Sequence, residues 1–190
     1  GVDTIEHGAK ADDEIIALFK EKHAALITTI SPALPFALFD RSVSHATELS
    51  QFNGKIVFEG IIDCAEKCLE NGIPVGLGTD TGCPFITHYD MWRELVYFQR
   101  YCGVSNRFAL YTATKRNAEI AHIDDITGTV EPGKCADLIV TDGDPLDDLK
   151  ALRHVTMVMA RGHLIRKPKV KKYENVEREL DKFLDPVSMR

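Results

Sequence analysis

Two residues able to bind and activate a divalent ion stand at the ends of short apolar runs. His7 closes VDTIEH and Asp80 closes VGLGTD. A neutral imidazole and a carboxylate both suit Zn²⁺ or a related ion, which would in turn activate a water for hydrolysis. If both runs are strands, alternation sets His7 on one face with Ile5, and Asp80 on one face with Gly78 and Gly76. The two glycines leave little bulk there, so room is expected near the carboxyl end of the second strand. Parallel α/β folds carry their chemistry at that end. Without further ligands, the same His and Asp also suit ordinary hydrogen-bonding roles at strand ends.

The elements that must position this pair alternate in type. A strand over Val2–Glu6 precedes DDEIIALFKEKH, a helix capped by Asp12 or Asp13 with Ile15, Ile16, Leu18 and Phe19 as its apolar face. AALITTI (24–30) is a buried strand closed by Ser31-Pro32, followed by a long loop over 31–55. An amphipathic helix spans 55–72 and stops at Asn71-Gly72, then comes the strand 73–80 and a helix over 87–103. Ser105 caps a further helix reaching Ile120. This β–α–β–α–β–α order predicts a parallel sheet wound with helices, with AALITTI between the strands ending at His7 and Asp80. His7 and Asp80 are 73 positions apart. Two units of a (β/α)₈ barrel span about 62 residues, and the excess is close to the extra length of the 31–55 loop.

Past residue 127 the pattern changes. GTVEPGKCADLIVTDGDP (128–145) holds two strand-like runs around Pro132-Gly133, and VTMVMARGHLI (155–165) reads as a hairpin turning at Arg161-Gly162. The remaining residues are highly charged, with a narrow helical stripe of Val176, Leu180, Phe183 and Leu184. Three regions follow: 1–127, 128–166 and a charged helical tail over 167–190.

The 190 residues are 44% hydrophobic and 27% charged, as in an ordinary globular chain. A net charge of −6 argues against nucleic acid as a partner, and no apolar run is long enough for a membrane span. Five scattered cysteines without a CxxC pair suit free thiols and a cytoplasmic location. Cys64 and Cys68, one helical turn apart, are expected as buried structural thiols.

Five stretches together resemble the metal-dependent amidohydrolases, in the imidazolonepropionase-like and Xaa-Pro dipeptidase branch. They are GVDTIEHG, PVGLGTDTG, ALYTATKRNAEIAHI, GTVEPGKCADLIVTDGDPLDDL and VTMVMARGHLI, in family order across roughly 1–165. The resemblance implies an α/β fold: the C-terminal part, about strands six to eight, of a TIM-like (β/α)₈ barrel, plus the C-terminal strands of a small β-sandwich. It implies His7 as the sixth-strand metal ligand and Asp80 as the eighth-strand one. Asp80 would orient the attacking water and carry its proton to the leaving nitrogen. The implied cofactor is a divalent metal, zinc foremost, with one or two ions in the complete enzyme. The family's first-strand His-x-His, fourth-strand Lys or Glu and fifth-strand His have no counterpart here.

The function so implied is hydrolysis of C–N bonds in an amide, a dipeptide or a cyclic amidine. Two other readings stand beside it. One is a deaminase or cyclic-imide hydrolase of the same superfamily. The other is an inactive fragment that needs a separate N-terminal piece, or a second copy of itself, to cover its open edge. His88 in TGCPFITHYD is a candidate for lining the substrate pocket, with a plain surface role as its alternative. Glu94 suits a supporting or helix-face role, and His45 lies in the loop expected to overhang the site. Met91 and Trp92 read as core, and His23, His122, His154 and His163 as surface or packing residues. None of the glycine-containing stretches makes a nucleotide-binding fingerprint.

Overall fold

Three short strands run parallel in the order β1 (Thr4–His7), β2 (Ala25–Thr28) and β3 (Val75–Leu77). The computed structural model describes residues 1–185, so 186–190 of the charged tail lie outside the described residues. Pairing sets Ile5 beside Leu26 and Leu26 beside Val75, while Glu6 lies beside Ile27 and Ile27 beside Gly76. Residues opposite one another in a parallel pair share a face. The Leu26–Val75–Leu77 face is the core side, packed by helices, and Leu26 is fully buried. The expected parallel order, with β2 in the middle, is what the chain forms. Among the described residues, β1 has no neighbour on its outer edge.

Asp12 caps α1 (Asp13–Lys22) by accepting from the Ile15 N–H at 2.9 Å. Of the four apolar residues assigned to its inner face, only Ile16 and Phe19 are buried, and Ile15 and Leu18 stay exposed. The stretch read as a 31–55 loop is largely helical: α2 (Leu34–Leu38), α3 (Arg41–Ser44) and the first turns of α4 (Glu48–Glu70). Thr47 caps α4, accepting from Ser50 N–H. Gly54 sits inside that helix because a Cβ there would lie 2.9 Å from the Phe36 backbone of α2. Asn71 ends α4 as expected, with Gly72 in the left-handed region. Cys64 and Cys68 are buried on α4's inner face, also as expected.

The helix α5 (Met91–Tyr101) is buried along Trp92–Phe98. Ser105 caps α6 (Asn106–Tyr111), which continues through a π-helical turn, Thr112–Arg116, into α7 (Asn117–Ile120). Asn117 projects back onto the outer edge of β3. Its Oδ1 accepts from Leu77 N–H at 2.9 Å and its Nδ2 donates to Leu77 C=O at 2.9 Å. One side chain thereby satisfies both groups that a neighbouring strand would pair.

A second sheet is antiparallel, in the order β4 (Leu138–Thr141), β5 (Val155–Ala160), β6 (His163–Arg166). Its β5–β6 turn falls at Arg161-Gly162, both with positive φ, as a two-residue type I′ hairpin needs. Only the second of the two runs expected in 128–145 becomes a strand; the first is irregular and leads into a turn at Pro132-Gly133, with Gly133 at φ +95°. The tail stripe forms α8 (Glu174–Asp181), whose Leu180 is buried. Phe183, just beyond it, stacks on Phe39 with ring centroids 5.5 Å apart. Among the described residues no helix is long and apolar enough to cross a membrane.

Candidate active site at the strand ends

His7 is the last residue of β1, whereas β3 stops at Leu77, short of the strand to 80 that the sequence suggests, and Asp80 lies three residues past its end; both hold left-handed backbone, at φ +67° and +49°. Non-glycine residues adopt that region rarely and at a cost, and among the described residues six others also hold it, so at His7 and Asp80 it marks a sharp turn of the chain after the strand and not by itself a site. With β2 between them, the ends are two strand spacings apart, about 10 Å. Both residues are exposed.

The path to this arrangement differs from simple alternation. Strict alternation carries His7 onto the helix-packed face with Ile5. Its ring instead reaches Thr29, with Nδ1 2.8 Å from Thr29 Oγ1. Thr29 belongs to the opposite face, since a Cβ on Gly78 would meet the methyls of Ile27 and Thr29 at 3.2 and 3.3 Å. The left-handed residue ends the pleat and turns the imidazole across. The bond to Thr29 fixes one ring nitrogen and leaves Nε2 available.

The turn that follows His7 is fastened to α4. Gly8 has φ +85°, and a Cβ there would press on the Cys64 side chain and on Leu26 at 3.1 Å. Opposite it, a Cβ on Gly60 would lie 2.9 Å from Lys10 N, so glycine lets the helix approach the loop. Ala11 N–H donates to Asp63 Oδ2 at 3.3 Å, and Lys67, paired with Asp63 at 3.0 Å, donates to Ala11 C=O. A hydrogen bond from Cys68 and one from Ala9 N–H, acting against burial, bring the Cys64 thiol down to about 7, while the Cys68 thiol is pushed up.

Asp80 is held more loosely. Cys83 Sγ donates to Asp80 Oδ2 at 3.4 Å, and Thr79 and Thr81 hydroxyls meet at 2.8 Å on either side. Burial, then the adjoining Asp80 carboxylate, raises the Cys83 pKa and keeps it a thiol. The room expected beside β3 is only partly there. At Gly76 a Cβ would collide with Asn117 Oδ1 at 2.5 Å and Ile27 at 2.7 Å, so that glycine makes way for the edge-capping Asn117. Space remains only toward Gly78 and Asp80.

His88 is exposed and sits edge-on to Tyr89, with ring centroids 5.4 Å apart. Glu94 is fully buried. Its Oε1 accepts from Ile30 N–H at 2.6 Å, and its Oε2 accepts from Ser31 N–H at 2.8 Å and from the Ser31 hydroxyl. Burial outweighs these bonds and pushes its carboxyl up to about 7. Its neighbour Arg93, equally buried, pairs with Glu177 at 3.1 Å and Asp181 at 2.8 Å on α8, and lies over the Trp92 ring. Met91 and Trp92 pack in or against the core, as read from the sequence.

Thr29, Ser31 and the Gly60–Lys67 clamp were not singled out in the sequence. The available signal was WRELVYF, where Arg93 and Glu94 sit inside an otherwise apolar run and so have to be buried with partners. The donor types at His7 and Asp80 fit a divalent ion, but among the described residues no third His, Cys, Asp or Glu joins them in one group.

Comparison with known proteins supplies context for this geometry. The sequence profile of the amidohydrolase family matches residues 2–165. An imidazolonepropionase from Picrophilus torridus is 34% identical over 93 residues, covering 49% of this chain and 23% of that protein. A solved structure from Bifidobacterium longum, assigned as a candidate prolidase, is 41% identical with a TM-score of 0.91. It is matched over 96% of this chain and 46% of its own. A Xaa-Pro dipeptidase solved with methionine in its active site is 32% identical with a TM-score of 0.77, over 87% of this chain and 40% of that one. The chain thus spans less than half the length of each of these relatives.

Proposed function

The chain belongs to the amidohydrolase family, and from this we propose that it supplies strands six to eight and part of the metal site of a hydrolase acting on C–N bonds. The favoured substrate is a dipeptide or another small amide, in keeping with the dipeptidase named among its structural neighbours. One observation carries the reading. An imidazole at the carboxyl end of β1 and a carboxylate just past the carboxyl end of β3 lie on parallel strands two apart.

In this reading His7 offers Nε2 and Asp80 a carboxylate oxygen to a divalent ion, zinc being the preferred choice. When bound, the ion polarises the scissile carbonyl and lowers the pKa of a water. Asp80 orients the attacking water and accepts its proton at Oδ as the new C–O bond forms. It then returns the proton to the nitrogen as the C–N bond breaks, so the carboxylate is regenerated. His88 lines the substrate side of the loop after Asp80. A catalytic zinc takes about three protein ligands, so further donors come from the rest of the assembled enzyme.

The test is Asp80→Asn in that assembled enzyme, assayed on Xaa-Pro dipeptides and small cyclic amidines. The amide keeps the shape and a hydrogen bond but cannot take a proton, so kcat falls by about 10²–10⁴-fold with an unchanged circular dichroism spectrum. A near-wild-type rate removes Asp80 from the chemistry.

A further inference from the structure

We propose that Glu94 is a positioning residue for the His7 imidazole, acting from α5 through the Ile30–Ser31 turn and the Thr29 hydroxyl. The inference rests on the reading of His7 as a metal ligand and adds the device that orients it.

Glu94 spends a buried carboxylate on the turn that leaves β2. Its three acceptor bonds, from Ile30 N–H, Ser31 N–H and Ser31 Oγ–H, all fall on two consecutive residues, and no Lys or Arg pairs with it among the described residues. A carboxylate taken out of water without a cation is costly, and neutral side chains commonly cap such turns. The arrangement gains something a weaker cap would not: two successive peptide N–H groups fixed to one rigid plane.

Thr29 is the residue immediately before that plane. Fixing the N–H of residue 30 fixes the peptide that Thr29 forms with it, and a β-branched side chain has few χ1 choices once its backbone is set. Its hydroxyl then stands where His7 Nδ1 meets it at 2.8 Å. With Nδ1–H donating to that oxygen, Nε2 carries the lone pair and is left for a ligand. The other end of the relay is equally firm. Arg93, next to Glu94, is bound to Glu177 and Asp181 of α8, so the start of α5 is a fixed anchor.

The experiment reads the His7 tautomer by long-range ¹H–¹⁵N correlation in the metal-free protein, and metal affinity by competition titration with Zn²⁺. In the wild-type protein His7 is the Nδ1–H tautomer. Glu94→Gln keeps one acceptor but turns an NH₂ toward the turn's donors, so both tautomers are populated and zinc affinity falls by about 10–100-fold. Thr29→Val gives the same mixture and Thr29→Ser restores a single tautomer. Ser31→Ala, which removes only one of three bonds, shifts the populations less and in the same sense, and decides the matter if Glu94→Gln does not fold. Ile73→Ala, a core truncation at the N-terminal end of the sheet, away from the strand ends that carry the site, lowers the melting temperature but leaves the tautomer alone. An unchanged tautomer and zinc affinity in both Glu94→Gln and Ser31→Ala overturns the proposal. His7→Ala separates the two ideas: if it leaves zinc affinity intact, His7 is no ligand, whatever Glu94 does.

Discussion

The two three-stranded sheets of this chain use similar residues to opposite effect. In β1–β3 the central strand is buried, helices cover one face, and the strand ends carry strained residues held by specific bonds. In β4–β6 the β-branched and leucine side chains are as apolar, yet Ile139, Leu164 and Ile165 stand exposed and β6 is exposed along its length. The first sheet is stabilised by packing as well as by its ladder. The second is held mainly by its ladder and its I′ turn, with the Leu149–Arg153 3₁₀ turn, whose Leu149 is buried, tying it to the helices. Left-handed non-glycine residues occur at the ends of both sheets, Arg161 and Lys167 in the second, but at His7 the conformation is accompanied by a side-chain bond to the buried Thr29. The candidate chemistry on β1–β3 therefore stands beside a packed core, which the second sheet lacks.

Truncation probes this contrast most strongly in the packed sheet. Leu26→Ala on β2 removes a fully buried side chain and should cost about 2–5 kcal/mol in chemical denaturation. A loss below about 1 kcal/mol would mean that the sheet's helix-packed face is far looser than described. At the other extreme, Ile165→Thr on β6 keeps β-branching at an exposed position and should change stability by no more than about 0.5 kcal/mol. A cost above about 2 kcal/mol would show that another surface covers that face in solution, and the contrast between the sheets would then be one of partners rather than of packing.

Much of the framework was readable from residue patterns. AALITTI and the strand before Asp80 are short β-branched or apolar runs with clear stops, and Asp12, Ser105 and Asn71-Gly72 act as the caps and stop their types predict. The start of α4 was not readable. Leu49, Phe52 and Ile56 make a helical stripe that faces solvent, and Gly54 serves contact with α2 instead of breaking the helix. His7 and Asp80 stand out in the sequence as donor types closing apolar runs, but how they are held does not. The His7–Thr29 bond joins residues 22 positions apart and the Glu94–Ser31 bonds span 63, so no local periodicity reveals them. Gly76 shows the same limit. Its lack of a side chain suggested open space, whereas the structure fills that space with Asn117, which bonds to Leu77 from 40 residues downstream of it.

The most direct test of the account is anomalous diffraction at the zinc edge from crystals of the assembled, zinc-loaded enzyme. The account predicts a peak at the β1 and β3 strand ends, about 2.0–2.2 Å from His7 Nε2 and from an Asp80 carboxylate oxygen. A bound zinc that touches neither residue would contradict it.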